Sequence, residues 1–554
     1  MKREEALTPD PSPGPSSRTP GRGEPGGAAP EVASRRKGGS LPPGGAAVGS
    51  GGRPGGGHFL NLVLLAWAAL AALLAWRFAG KATDDIYVTY RYAWNLAHGL
   101  GFTFNPGERV FGLTDPGVGL LLALAHRLTG LPLPLLGTAF SALALFGIAV
   151  LLLGESAERG RLPEGIAGGT LLLLSGYLWT AQGSGPLFVL FFLIAAARLA
   201  GGAGRWDLAS GLLAGFAFWF RPDAAVGLAL LGLLLLGERR RLSWSGMGVW
   251  ASTAVAVVLA GCAAAWAAFG TLLPNTLAAK RAYAAFEPAE RMGVAFWWGA
   301  WAYWRGFEGP WAAALLGMGL LGLVALVLWG GRAGRLLALH GLALALAYTL
   351  LRVPFFLWYT VPTAAAVLVG APWAVGAAAR ALGTRPQLRR LAAALAVAGG
   401  LLLAPALWGT WRWFAGGGSG DWRLAAYSLA GEWIRDHSTP ADDVALEEIG
   451  ILGYTSQRPV SDLMGLVTPR AVPYAAQGDL IGAFLAQPTE FLIFHTFTWR
   501  GGTKPIVTRP WFPAAYAEAA RFDLPQQGGS ITVYRRRPGA KIPPPRPPRA
   551  HRSP

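Results

Sequence analysis

Eleven apolar runs dominate the chain, at about 59–79, 133–153, 166–182, 184–200, 206–220, 223–237, 246–268, 311–330, 335–351, 355–373 and 390–409. Runs of that length and continuity are solvated by lipid and predict membrane-crossing helices. Several fall short of the ~20 residues that a perpendicular span needs, which predicts tilted or broken helices there. The intervals between runs alternate in charge. Those at 154–165, 201–205, 238–245, 331–334 and 374–389 carry Arg159, Arg161, Arg205, Arg239, Arg240, Arg241, Arg332, Arg380, Arg385 and Arg389. Basic loops stay in the cytoplasm. The 80–132 loop, the 269–310 loop and everything after about residue 410 then lie on the outer side, and the N-terminus is cytoplasmic.

The period changes inside the first outer loop. Ile86, Tyr90, Ala93, Trp94 and Ala97 recur at helical intervals, predicting an amphipathic helix from Asp85 to His98. Thr83 or Asp84 can cap its start, Gly99 ends it, and Asn105-Pro106-Gly107 reads as a turn. A helix carrying Tyr and Trp in this place is expected in the lipid headgroup layer. Asp84 and Arg91 stand two turns apart and so share a face, with Asn95 four residues further on. Asp115-Pro116 has the form of a cap and first turn of another helix.

After the last apolar run the pattern becomes that of a water-soluble domain. "WRLAAYSLAGEWIRDH" has helical spacing, while "DVALEEI", "EFLIFH" and "SITVYRR" read as strands. An α/β or α+β domain over 415–537 follows. Residues 1–57 and 538–554 are rich in Gly, Pro, Ser and Arg, too poor in apolar side chains to offset the entropy of ordering, and are expected to be disordered. Residues 58–414 form the membrane domain. Its first run begins only at Phe59 and reads as an uncleaved anchor.

Composition sharpens this picture. Only 14% of the 554 residues are charged, far below the ~25% of soluble domains. The net charge of +18 could suggest nucleic acid, but the cations cluster in the tails and short loops. Cys262 is the sole cysteine, so no internal disulfide can form. His98 and His126 lack zinc-ligand spacing, and no nucleotide-binding glycine motif occurs.

In order along the chain stand Asp84-Asp85-Ile86-Tyr87, Arg91-Tyr92-Ala93, Asn95-Leu96, Gly99, Gly101 and Phe104-Asn105-Pro106-Gly107-Glu108-Arg109-Val110. Then come "FRPD" at 220–223, "FGTLLPNTLAAK" at 269–280, "PFFLWYTVP" at 354–362 and "EIGILGYTSQRPVSDLMGLV" at 448–467. This series resembles the GT-C glycosyltransferases that use polyprenyl-phosphate sugars, in particular the mycobacterial terminal β-arabinofuranosyltransferase group, with the protein mannosyltransferases as relatives. The likeness spans about 59–537. Ser184 stands where that family often has Glu, which puts the sugar or acceptor in question.

The resemblance implies a mainly α polytopic enzyme of about eleven transmembrane helices, carrying an extracytoplasmic domain in the bacterial plasma membrane. It implies a polyprenyl-phosphate sugar donor and a cell-envelope glycan, lipid or protein acceptor. Such a transfer needs a base near the nucleophile and cations near the leaving phosphate. Asp84 and Asp85 are the expected catalytic pair: Asp84 as base on the face of Arg91, and Asp85 positioning acceptor or a divalent cation. Tyr87, Arg91, Asn95, Arg221, Asn275, Lys280, Arg352 and Tyr359 are the expected donor-phosphate and substrate contacts, and Arg281 is a further cation at a span end. A transporter or lipid-linked-sugar flippase would instead show repeated halves and midplane charges. A scaffold presenting the outer domain would be indifferent to both aspartates.

Overall fold

A computed structural model describes residues 56–548, apart from 203, 239–242, 285–291, 402–403, 405–407, 410–411, 413–420, 422, 497–502 and 525–528. The N-terminal tail up to residue 55 and the last six residues lie outside the described residues.

The described residues of the apolar runs are largely helical. The first forms α1 (Gly56–Phe78), and the 80–132 loop adds α2 (Asp84–Ala97) and α3 (Pro116–Thr129). Then come α4 (Leu133–Glu158), α5 (Leu162–Leu174), α6 (Gly185–Leu199), α7 (Arg205–Phe220), α8 (Ala224–Gly237) and α9 (Trp244–Phe269). The 269–310 loop holds α10 (Asn275–Ala284) and α11 (Phe296–Glu308). The series closes with α12 (Ala312–Trp329), α13 (Arg332–Leu350), α14 (Val361–Gly383) and α15 (Arg389–Leu401).

Six of the described helical segments are long and apolar enough to cross a membrane, and α5, α6 and α8 are shorter apolar helices. The protein is a multi-pass membrane protein. Against the eleven expected spans, the described residues thus hold six long and three shorter apolar helices, and the run at 390–409 lies partly outside the described residues. The short ones have local causes: α5 stops at Ser175, and Arg221-Pro222 ends α7. Small residues let helices meet closely, and Gly322 of α12 lies directly on the backbone of Gly370 of α14.

The C-terminal domain contains α16 (Leu424–Asp436), β1 (Val444–Leu446), α17 (Gly450–Ser456), β2 (Val460–Asp462), α18 (Leu480–Ala486), β3 (Phe491–His495), β4 (Tyr516–Leu524) and β5 (Gly529–Arg536). The sheet order is β2-β1-β3-β5-β4; β1 runs parallel to β2 and β3, and the β3–β5 and β5–β4 pairs are antiparallel. Residues 538–548, in the segment expected to be disordered, lie on this domain: Ala540 and Ile542 pack on its second core, and the Tyr474 hydroxyl donates to the Arg546 carbonyl at 2.8 Å.

One expectation is corrected here. Helix α2 is not an interfacial helix facing lipid headgroups, because eleven of its fourteen residues are buried. The C-terminal domain covers it through α17, and α3 and α4 pack against it from the membrane domain. Its amphipathic pattern divides two protein surfaces instead of water and lipid.

Candidate functional site

Helical spacing gives α2 two working faces. Asp84, Tyr87 and Arg91 form one, and Asp85, Val88 and Thr89 form the other. The second face lines a cleft, together with Asp115, Ser184, Arg221, Thr276, Lys280, Trp358 and Leu466.

Charge in the cleft is arranged by its aromatic wall. Lys280, on α10, donates to the Tyr359 hydroxyl at 3.1 Å. Its ammonium stands 4.9 Å from the Phe356 ring centre, 5.7 Å from that of Trp358 and 5.3 Å from that of Tyr359. Ring faces attract a cation and hold it in place without neutralising it. Arg221 lies over the same Tyr359 ring at 5.3 Å, and pairs with Asp223 at 2.8 Å. Tyr348 also donates to Asp223, at 2.5 Å. Arg221 is thus balanced by a carboxylate, whereas Lys280 forms no ion pair among the described residues.

Two carboxylates face these cations. Burial raises the pKa of Asp85, opposed by the charges of Lys280 and Arg423. Asp115, at the start of α3, accepts from the Thr89 hydroxyl at 2.8 Å; burial raises its carboxyl as well, against the pull of Thr89 and Arg221. Ser184 lines the cleft from the cap position of α6, its hydroxyl donating to the Ala181 carbonyl at 2.5 Å.

The first face of α2 is occupied by protein. The Asp84 carboxylate accepts from the backbone amides of Gly450 (3.1 Å) and Ile451 (2.8 Å), and its own amide donates to Asp421 at 3.2 Å. Arg423 chelates Asp421 and bridges to Glu448. Burial raises the Asp84 carboxyl to about 7, opposed by Arg423 and the Ile451 amide and reinforced by Glu448 and Asp85. Two turns along, Arg91 donates to the Gln457 side chain and, at 3.2 Å, to the Phe104 carbonyl. Between these ends Tyr87 and Tyr90 pack edge-on against Tyr454, with ring centres at 5.6 and 6.2 Å. Contacts 84–450 and 91–457 advance together, so α2 and α17 run side by side in the same direction.

The expected site residues therefore divide. Asp85, Arg221 and Lys280 come together in the cleft, and Tyr359 joins them by holding both cations. Asp84, Tyr87, Arg91 and Asn95 do not. Tyr87 donates to the Gly80 carbonyl at 3.1 Å, and Asn95 donates to the Thr103 and Phe104 carbonyls at 2.8 Å. Asn275 donates to the Gly465 and Leu466 carbonyls at 2.6 and 2.8 Å. Arg352 and Arg281 are exposed and away from the cleft lining; Arg352 adopts a left-handed backbone, with φ of 49°. Asp115, Thr89 and Thr276 were not singled out as site residues. Asp115-Pro116 was legible as a helix start, but nothing in its spacing from Asp85 announces a shared cleft. Among the described residues no group of three or more His, Cys, Asp or Glu is placed to hold a metal ion.

Residues 421–536 match a family described as a domain of unknown function (DUF8728). No curated protein matches the chain by sequence. Among solved structures the chain is similar to ArnT from Cupriavidus metallidurans bound to undecaprenyl phosphate, at 13% identity and a TM-score of 0.55, covering 86% of this chain and 98% of that one. It is also similar to the Archaeoglobus fulgidus oligosaccharyltransferase in complex with Zn and sulfate, at 13% identity and a TM-score of 0.51, covering 78% and 67% of the two chains. These likenesses are of fold: the chain shares the fold of these two proteins.

Proposed function

We propose that this GT-C protein is a glycosyltransferase that moves a sugar from a polyprenyl-phosphate donor to a hydroxyl of a cell-envelope glycan, lipid or protein, on the outer face of a bacterial plasma membrane. The observation that carries the reading is the cleft itself. A half-buried carboxylate, Asp85, faces an ammonium, Lys280, that an aromatic wall orients and no described carboxylate pairs.

The chemistry follows from those groups. Asp85, as carboxylate, accepts the proton of the acceptor hydroxyl while that oxygen bonds to the anomeric carbon. The bond from that carbon to the phosphate oxygen breaks on the opposite side, which inverts the configuration. Lys280 and Arg221 then stabilise the charge left on the polyprenyl phosphate. Asp85 is favoured over Asp84 as base because both Asp84 oxygens already accept backbone amides. The likeness to an ArnT structure holding undecaprenyl phosphate supports a lipid-phosphate donor, and the basic inner loops support the orientation.

The test is reconstitution with a panel of polyprenyl-phosphate sugars, following release of polyprenyl phosphate. Release dependent on both donor and acceptor is the expected outcome. Turnover of a water-soluble nucleotide sugar with no lipid present would overturn the reading.

A further inference from the structure

Two helices bring the working charges to the cleft: α2 carries Asp85, and α10 carries Thr276 and Lys280. Both are held by the C-terminal domain. On α2 the grip is the paired helix α17, fastened at one end by Asp84 and at the other by Arg91 and Gln457. On α10 the grip is the 462–468 loop. The Asp462 carboxylate shapes that loop by accepting the amides of Met464 (2.8 Å) and Val467 (3.0 Å), and Gly465 takes φ of 87°. The loop's carbonyls at Gly465 and Leu466 then receive the side chain of Asn275, the first residue of α10, whose own amide donates to the Phe111 carbonyl at 2.7 Å. Leu466 itself forms part of the cleft wall.

We propose that the C-terminal domain is a brace that sets the position of Asp85 relative to Lys280, with Asp84 and Asn275 as its positioning residues. The proposal rests on the glycosyltransferase reading for its effect on rate, but the brace is measurable without it. Neither residue touches the cleft: each fixes, from behind, the helix that carries a group which does. The two grips are separate in space and chemistry, a carboxylate on helix amides in one case and an amide on loop carbonyls in the other. They control different quantities. Displacing a base by ~1 Å lowers the chemical step by about 10²-fold. Loosening α10 weakens the hold on phosphate by about tenfold, the equivalent of a lost hydrogen bond.

The test uses the full chain in lipid nanodiscs, with Asp84→Asn and Asn275→Ala as variants and Arg521→Ala, in an exposed pair with Glu518 on β4, as control. Three quantities are read: hydrogen exchange by segment, binding of undecaprenyl phosphate, and kcat for transfer. Asp84→Asn should raise exchange in the first turns of α2 and α17 and lower kcat about 10²-fold, leaving undecaprenyl phosphate affinity at the parent value. Asn275→Ala should raise exchange in α10 and the 462–468 loop and weaken undecaprenyl phosphate, with the pH profile of kcat unmoved. Arg521→Ala should change nothing.

Gln457→Ala, which loosens the far end of the α2–α17 pair, serves as a second variant should Asp84→Asn fail to accumulate. Parent-like exchange in both variants overturns the brace, as does a parallel loss of kcat and affinity in each. If no sugar is transferred by any protein, the glycosyltransferase reading fails, and the exchange and binding results still decide the brace.

Discussion

Gly450→Ala is the sharpest probe of how closely the two parts of the molecule meet. A Cβ at this position would stand 2.6 Å from the Asp84 carbonyl carbon and closer still to its oxygen. Carbon atoms in contact prefer ~3.5–4.0 Å, so the methyl group is about 1 Å too near. The obstructing atoms are backbone, and α2 is buried among its neighbours, so α17 has to retreat. Retreat stretches the bonds from the Gly450 and Ile451 amides, now 3.1 and 2.8 Å, beyond useful range. Overpacking costs about 1–3 kcal/mol, and a lost hydrogen bond to a charged group about 1.5–3 kcal/mol. The gain in helix propensity on replacing Gly returns only about 1 kcal/mol. The net is a destabilisation of roughly 2–4 kcal/mol, together with a loss of transfer rate near 10²-fold if Asp85 moves with its helix. Thermal unfolding and initial transfer rates measure the two effects. Gly248→Ala on α9, where a Cβ meets open space, supplies the comparison and should be neutral or slightly stabilising. A Gly450→Ala protein indistinguishable from Gly248→Ala would refute the reasoning.

Asp85→Asn should lower transfer by ~10²–10⁴-fold with undecaprenyl phosphate binding retained, since a general base is lost and the phosphate contacts are not. Because burial raises the Asp85 carboxyl, and the base works deprotonated, kcat/KM should fall as pH drops through a pKa above the usual carboxylate range of ~3.9; a rate flat down to that range would contradict the assignment. For orientation, a reporter active only outside the cytoplasm should work when fused after Gly416 and be silent after Arg241, and the reverse pattern would move the cleft to the other side of the membrane.

The membrane architecture was readable because lipid imposes a coarse rule on long stretches of sequence. The described apolar runs are largely helical, and the Arg221-Pro222 interruption was visible as a gap between two runs, whereas the break at Ser175 lay inside the 166–182 run and was not. In the C-terminal domain, β3 and β5 are apolar enough to announce themselves. β2 is only three residues long, and β4 ("YAEAARFDL") alternates small and charged side chains, so neither stood out. Around the cleft, periodicity placed Asp84 and Arg91 together on one face of α2 but carried no information about what that face would meet. Its partner, α17, lies more than 350 residues away, as the separations of 366 for Gly450–Asp84 and Arg91–Gln457 attest. Long separation likewise hid Leu466 from the cleft wall, and across 190 and 191 residues it gave Asn275 the Gly465 and Leu466 carbonyls to hold instead of a phosphate. Lys280 and Arg221 were legible as cations at helix ends, yet their unequal neutralisation depends on Asp223, two residues on from Arg221, and on Tyr359, which only the folded chain brings near.

The sheet of the C-terminal domain ends on one side at β2, whose edge-facing groups would otherwise be free to recruit another strand. The Asn105 side chain meets them as a single residue of strand would, donating to the Val460 carbonyl and accepting its amide, each at 2.9 Å, while Thr468 accepts the amide of Asp462 at the same distance. At the opposite end β4 is guarded differently, by Glu518, Arg521 and Asp523 and by a bulge between Glu518 and Ala520. Charges and bulges travel with the domain, but Asn105 belongs to the membrane portion of the chain. Residues 421–536 produced on their own would keep the Thr468 contact but leave both backbone groups of Val460 on the β2 edge unpaired, an opening of the kind through which sheets add to one another and aggregate. The turn sequence Asn105-Pro106-Gly107 thus acts as an anti-aggregation cap, supplied in cis by a loop that is synthesised before the sheet it protects.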